Sequence, residues 1–197
     1  MEEPESFAPR MTPGELVFFK KCIQSKKKYL EFGCGGSTVV AATSDLERIY
    51  SIDTDAEWII KCQTHPAIAG RIAKKEARLF YLDVGKLKKW GTPATQEKRI
   101  SWVAYSAGIW EELAELPDLI LVDGRWRVAC ALQALWRCGD DARILVHDWN
   151  SRERYHEVLE FADIEGQVEQ LVCLAPKPTR DRGLIAMRAL ARISDVS

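Results

Sequence analysis

The stretch Glu31-Phe32-Gly33-Cys34-Gly35-Gly36-Ser37-Thr38 sets three glycines within four positions. An apolar run, KYLEF (28–32), ends in it, and a helix-compatible run (37–43) starts from it. Glycine has no Cβ, so the chain can turn sharply here and come close to a ligand or to another backbone. Strand, glycine turn and helix in that order make a nucleotide-cofactor loop, with amides at the helix start free to meet a carboxylate or phosphate. Such a loop needs a parallel sheet to be mounted on.

The rest of the chain supplies one. Short apolar runs at 48–53 (RIYSID), 77–82 (ARLFYL), 119–122 (LILV) and 142–146 (ARILV) alternate with helical patterns at 55–64, 128–137 and 153–161. LILV has no polar position, as in a strand covered on both faces. Alternation of this kind builds right-handed βαβ units and a doubly wound α/β sheet. The rhythm breaks at the end. Runs at 168–174 (VEQLVCL) and 184–189 (LIAMRA) are separated only by a loop with Pro176, Pro178 and Gly183. A connection this short suits a hairpin, so the last strand is expected to be antiparallel. By that topology the loop 176–182 would overhang the ligand edge as a lid.

Residues 13–25 read as a helix ahead of the first strand, 1–12 as a flexible lead, and 86–104 as loops around Trp90-Gly91-Thr92-Pro93. At 197 residues the chain fits one domain, 1–197. A net charge of −1 offers no field to gather nucleic acid or an anionic membrane. The first residues lack a signal-peptide pattern, and no apolar run approaches the roughly 20 residues a bilayer requires. The six cysteines form no C-x-x-C pair, as in reduced, cytoplasmic proteins.

Acids follow the glycine loop at telling places. Asp53 ends the second strand twenty residues after Gly33 (53 − 33 = 20), the spacing at which an acid reaches ribose hydroxyls. Asp83 follows the third strand, where it could accept from an adenine amino group or simply close a turn before Gly85. Together, Glu31, Gly33, Gly35, Asp53 and Asp83 resemble the motifs of class I S-adenosylmethionine-dependent methyltransferases, and the closing hairpin is also that family's habit. The GGST variant, W-G-x-P, V-D-G-R-x-R and H-D-W segments resemble small methyltransferase-like proteins. The resemblance implies a Rossmann-like seven-stranded sheet. It also implies S-adenosylmethionine bound by Glu31, Gly33, Cys34, Gly35, Ser37, Thr38, Asp53, Thr54, Asp83, Val84 and Asp123. A nicotinamide cofactor is the rival, but it wants glycine where Thr38 stands.

In open parallel sheets ligands sit beyond the carboxyl ends of the strands. The fourth strand ends in Asp123-Gly124-Arg125-Trp126-Arg127 and the fifth in His147-Asp148-Trp149-Asn150. His147, Asp123 and Asp148 are the candidate catalytic residues, with His147 as the base, or else as a ring that stabilises the loop. Asp123, Asp148 and Asn150 are candidate Mg²⁺ ligands, as in the similar catechol-type methyltransferases, although D-W-N departs from their D-N. Arg125, Arg127, Arg152 and Arg154 suggest an anionic small-molecule acceptor. Trp126 and Trp149 are candidates for an acceptor pocket, and Trp136 for the core. A homodimer is compatible with this reading, and so is a protein that binds the cofactor or its product without transferring methyl.

Overall fold

A computed structural model describes residues 7–195. Its centre is a seven-stranded sheet in the order β3-β2-β1-β4-β5-β7-β6. The strands β1 (Lys28–Phe32), β2 (Arg48–Asp53), β3 (Ala77–Tyr81), β4 (Leu119–Val122) and β5 (Arg143–Val146) run parallel. The strand β7 (Leu171–Pro176) is antiparallel to both β5 and β6 (Ala162–Val168). Two apolar clusters cover the two faces. Helices α1 (Pro13–Ile23), α2 (Gly36–Ala42), α3 (Ala56–Thr64) and α4 (Pro66–Ala73) lie on one face. On the other are α5 (Val103–Ser106), α6 (Arg127–Arg137) and α7 (Arg182–Ala191). Every residue of β4 is buried, as its unbroken apolar sequence requires. Each such Leu or Ile side chain contributes about 1.5–3 kcal/mol of transfer free energy.

Register places the site. Phe32 pairs with Ile52 on one side and Val122 on the other, and Val122 pairs with Val146. Gly33, Asp53, Asp123 and His147 therefore leave the sheet side by side at its carboxyl edge.

The closing segment differs from expectation. The hairpin is β6–β7, joined at Glu169-Gln170, and 184–189 is not a strand but the middle of α7. Ile185 and Ala189, four apart, are both fully buried, and Asp181 caps the helix by accepting the Leu184 N–H at 2.9 Å. A six-residue apolar run carries no length signal to separate helix from strand. β6 carries no apolar-run signal because it is an edge strand with exposed Asp163 and Glu165.

This moves the loop 176–182 to the opposite edge, so it is no lid. β7 runs antiparallel and ends at the amino edge of the sheet, where α6 also ends. There the buried Arg180 donates to the carbonyls of Leu135 (2.8 Å) and Cys138 (2.9 Å), satisfying the last turn of α6. The 153–161 helix is 3₁₀ (Glu153–Glu160), a further helix, α4, follows α3 directly, and 99–106 is helical rather than loop.

Residues 1–6 of the lead expected to be flexible lie outside the described residues. Residues 7–12 are packed: the Phe7 ring stacks on Trp58 with centroids 5.5 Å apart, and Thr12 forms a capping box with Glu15 at the start of α1. Among the described residues no helix is long and apolar enough to cross a membrane, and all six cysteines are free.

Candidate functional site

The glycine loop is shaped by a backbone contact. Gly33 has φ +97°, and a Cβ on it would lie 2.8 Å from the Cα of Gly124. The loops after β1 and β4 thus touch backbone to backbone. Beside this contact a cavity of about 500 Å³ opens at the carboxyl edge. Gly33, Cys34, Gly35, Ser37, Asp53 and Asp123 all contribute to its wall. The wall also includes Trp90 and Gly91 of the W-G-x-P segment, and Arg10 and Trp58, which no motif announces. Trp58 sits in the first turn of α3 and donates its ring N–H to the Cys34 carbonyl at 2.6 Å. The Arg10 guanidinium lies 4.0 Å over the Trp90 ring.

Glu31 and Thr38 are not in the cavity wall. Glu31 is fully buried and accepts from the hydroxyls of Thr38, Ser51 (2.9 Å) and Tyr29 (2.7 Å). Thr38 accepts in turn from the Gly35 N–H at 2.8 Å. The acid before the glycines is a strut that fixes the loop from behind. Burial pushes its carboxyl up to about 7, against the pull of those hydroxyls.

Asp53 faces the cavity and is already engaged. Its carboxylate accepts the amides of Cys34 (3.0 Å), Thr54 (2.6 Å) and Asp55 (3.0 Å). Burial raises its pKa, and these amides oppose the rise. Thr54 turns its hydroxyl to the Gly91 carbonyl (2.9 Å) and so holds the W-G-x-P loop over Asp53. Val84 is core. Asp83 is on the surface, off the cavity wall, accepting the Gly85 N–H (2.9 Å) and pairing with Lys98. That is the turn-closing alternative for this residue.

The strand-four and strand-five ends form a charge cluster of their own. The buried Arg127 pairs with Asp123 (3.2 Å) and Asp148 (3.1 Å) and donates to the carbonyls of Asp123, Gly124 and His147. His147 Nδ1 lies 3.1 Å from Asp123, and Nε2 lies 3.5 Å from the buried Glu15 of α1. Burial alone would depress the imidazole. The Asp123 hydrogen bond and the charges of Asp123, Asp148 and Glu15 outweigh it and push the pKa up to about 9. His147 is therefore an imidazolium at neutral pH, with no lone pair to accept a proton. For Asp123, burial raises the pKa but His147 and Arg127 pull it below the usual carboxylate range, so it stays ionised.

Three donors, Asp123, His147 and Asp148, come within 4.8 Å of one another. They do not suit Mg²⁺: Arg127 already provides the positive charge between the two carboxylates, and His147 carries another. Asn150 faces elsewhere, donating to the Glu169 carbonyl (2.8 Å) and accepting from Gln167 (2.7 Å). The expected Mg²⁺ triad Asp123, Asp148 and Asn150 is thus not assembled.

The arginine cluster also divides. Arg127 is locked in the core, Arg154 pairs with Asp195 (3.3 Å), Arg152 lies by the Tyr155 ring, and only Arg125 reaches the cavity. Trp126 and Trp149 are buried in the core instead of lining an acceptor pocket. Trp126 takes a left-handed backbone, φ +49°, which turns its ring inward against Trp102 and Tyr105.

No protein-family model matches the chain, and the search of curated proteins gives no significant match. Solved structures do match. A methyltransferase-like protein from Silicibacter pomeroyi DSS-3 superposes with a TM-score of 0.80 at 26% identity, covering 96% of this chain and 100% of that one. The O-methyltransferase from Bacillus cereus, in complex with SAH, gives 0.57 at 14% identity over 85% and 82% of the two chains. The C-terminal domain of precorrin-6Y C5,15-methyltransferase from Rhodobacter capsulatus gives 0.54 at 10% identity over 86% and 92%. With its strand order and antiparallel β7, the chain has the class I S-adenosylmethionine-dependent methyltransferase fold.

Proposed function

We propose that this chain transfers the methyl group of S-adenosylmethionine to a small-molecule acceptor in the cytoplasm. One observation carries the reading. Asp53 and the Gly33–Gly35 backbone wall a single cavity of about 500 Å³, at the carboxyl edge of a methyltransferase sheet. That volume is in the range of small-molecule sites. The donor set suits the cofactor: a carboxylate for ribose hydroxyls at Asp53, bare backbone at Gly33 and Gly35, and aromatic walls at Trp58 and Trp90. When bound, S-adenosylmethionine supplies a methyl group already activated on a sulfonium.

The chain's own residues then bind and align. Asp123, held ionised by Arg127 and His147, presents negative charge to a cationic ligand. Alignment of donor and acceptor supplies effective molarity. His147 does not act as the base at neutral pH, so the acceptor's proton leaves to solvent through the open cavity or has left before binding.

Calorimetry with S-adenosylmethionine, S-adenosylhomocysteine and NAD tests the cofactor. Binding of the first two supports the proposal, and binding of NAD alone overturns it. A second reading, cofactor binding without transfer, draws on His147, which Asp123, Asp148 and Glu15 hold in its protonated form. Transfer of labelled methyl to any component of a small-molecule extract excludes it.

A further inference from the structure

The cavity carries an unpaired buried cation that the cofactor reading does not use. Of the acids on its wall, Asp53 is held by three amides, Asp123 by Arg127 and His147, and Asp55 caps α3, while Glu57 stands exposed in the first turn of α3. Arg125 has no such partner. Arg125 follows the Gly33–Gly124 contact on the loop after β4 and lines the cavity. Its Nε is buried without a hydrogen-bond partner, and among the described residues its guanidinium makes no ion pair. Leaving a buried donor on a charged group unpaired costs free energy that a ligand oxygen would recover.

We propose that Arg125 recognises an anion in this cavity, so that the ligand assembly bound there includes a carboxylate held by its guanidinium. The inference rests on the cavity being the cofactor and acceptor site. The surroundings agree. Arg10 and Lys88, also on the wall, have no acidic partner among the described residues and, with Lys89, bring positive charge to a rim on which Glu57 is the exposed acid. Burial and the neighbouring Arg127 both disfavour the charge on Arg125, which an anion would relieve. Arg127 cannot take this role, because its donors are committed to Asp123, Asp148 and three carbonyls. Two sources fit the chemistry: the amino-acid end of the cofactor, or an acid group on the acceptor.

The test compares wild type, Arg125→Gln and Arg125→Lys by calorimetry. The probes are S-adenosylhomocysteine, 5′-methylthioadenosine, which lacks the carboxylate, and malonate titrated into protein saturated with S-adenosylhomocysteine. We expect Arg125→Gln to weaken one carboxylate probe by about tenfold or more, with partial recovery in Arg125→Lys and methylthioadenosine unchanged. Weakened S-adenosylhomocysteine with unaltered malonate assigns the cofactor's carboxylate. Unaltered S-adenosylhomocysteine with weakened malonate assigns an acidic acceptor. The proposal is overturned if both probes stay within twofold, or if methylthioadenosine weakens equally. If neither nucleoside binds the wild type, the cofactor reading fails separately, and malonate binding to the free protein still decides Arg125.

Discussion

Pro9 crosses directly over Gly36: a Cβ on Gly36 would meet the Pro9 nitrogen and lie 2.6 Å from the Phe7 carbonyl oxygen. The third glycine of the loop therefore makes room for the N-terminal segment, which closes one side of the cavity with Ala8 to Met11. Gly36→Ala should displace that segment while leaving the sheet intact. The expected cost is about 1–3 kcal/mol in thermal melts, as for other overpacked contacts. Hydrogen exchange should accelerate at residues 8–11 but not in β1 or β4, and S-adenosylhomocysteine should bind more weakly. Unchanged exchange at 8–11 would show that the crossing does not constrain the segment.

Glu31 carries a pH signature. Its folded pKa, about 7, lies above the ordinary 4.5, so the native state holds the proton more tightly than the unfolded chain. Its stabilising contribution is complete below about pH 4.5 and is lost as pH rises through about 7. The loss amounts to roughly 3 kcal/mol by linkage. Denaturant titrations from pH 5 to 8 should show this fall in wild type and not in Glu31→Gln. Glu31→Ala leaves three hydroxyls without their acceptor and should cost about 2–4 kcal/mol near pH 5, a cost that shrinks toward pH 8 as the wild type loses its own contribution.

Much of this frame was legible in the sequence, because strand runs such as LILV and the glycine loop are local signals. The strand ends followed, since register carries Gly33, Asp53, Asp123 and His147 to one edge. What was not legible depended on tertiary contacts. Glu31 and Asp53 read alike as strand-end acids, yet one points into the core and the other into the cavity. Arg127 reads like Arg125, two residues away, as an arginine for an anionic acceptor, but the left-handed turn at Trp126 sends it inward. Trp58, Trp90 and Arg10 meet only after the chain folds, from positions up to 80 apart (90 − 10 = 80).

His147 should titrate near pH 9, not 6.5, when followed by its ring proton resonances. Raised above its unfolded value, the group adds stability that is complete below about pH 6.5 and is lost as pH rises through about 9. The size is roughly 3 kcal/mol. His147→Gln should remove that loss and loosen α1, because the contact to Glu15 goes with it. A ring titrating near 6.5 in the folded protein would contradict the charged cluster and restore His147 as a candidate base.

Arg127 should behave as a structural cation. Arg127→Met strands Asp123 and Asp148 beside each other and should destabilise the fold by about 3–5 kcal/mol. Because the guanidinium already serves both carboxylates, chelator treatment should leave S-adenosylhomocysteine affinity unaltered, and Mg²⁺ should give no binding heat with the wild type. A Mg²⁺ isotherm abolished by Asp148→Asn would reverse this assignment.

The two acids that end β2 and follow β3 make the sharpest comparison. Asp53 stands in the cavity wall with its carboxylate organised by the amides of Cys34, Thr54 and Asp55. Asp83 spends its oxygens on Gly85 and Lys98 outside it. Asp53→Asn replaces one acceptor oxygen by a donor facing those amides, so the loop geometry and the acceptor proposed for the ribose should be lost together. S-adenosylhomocysteine affinity should fall by about 10- to 100-fold, the worth of hydrogen bonds to a charged group. Asp83→Asn should stay within about twofold, since it weakens only an exposed pair. Equal losses in the two variants would mean that the loop carrying Asp83 closes onto the nucleoside when it binds.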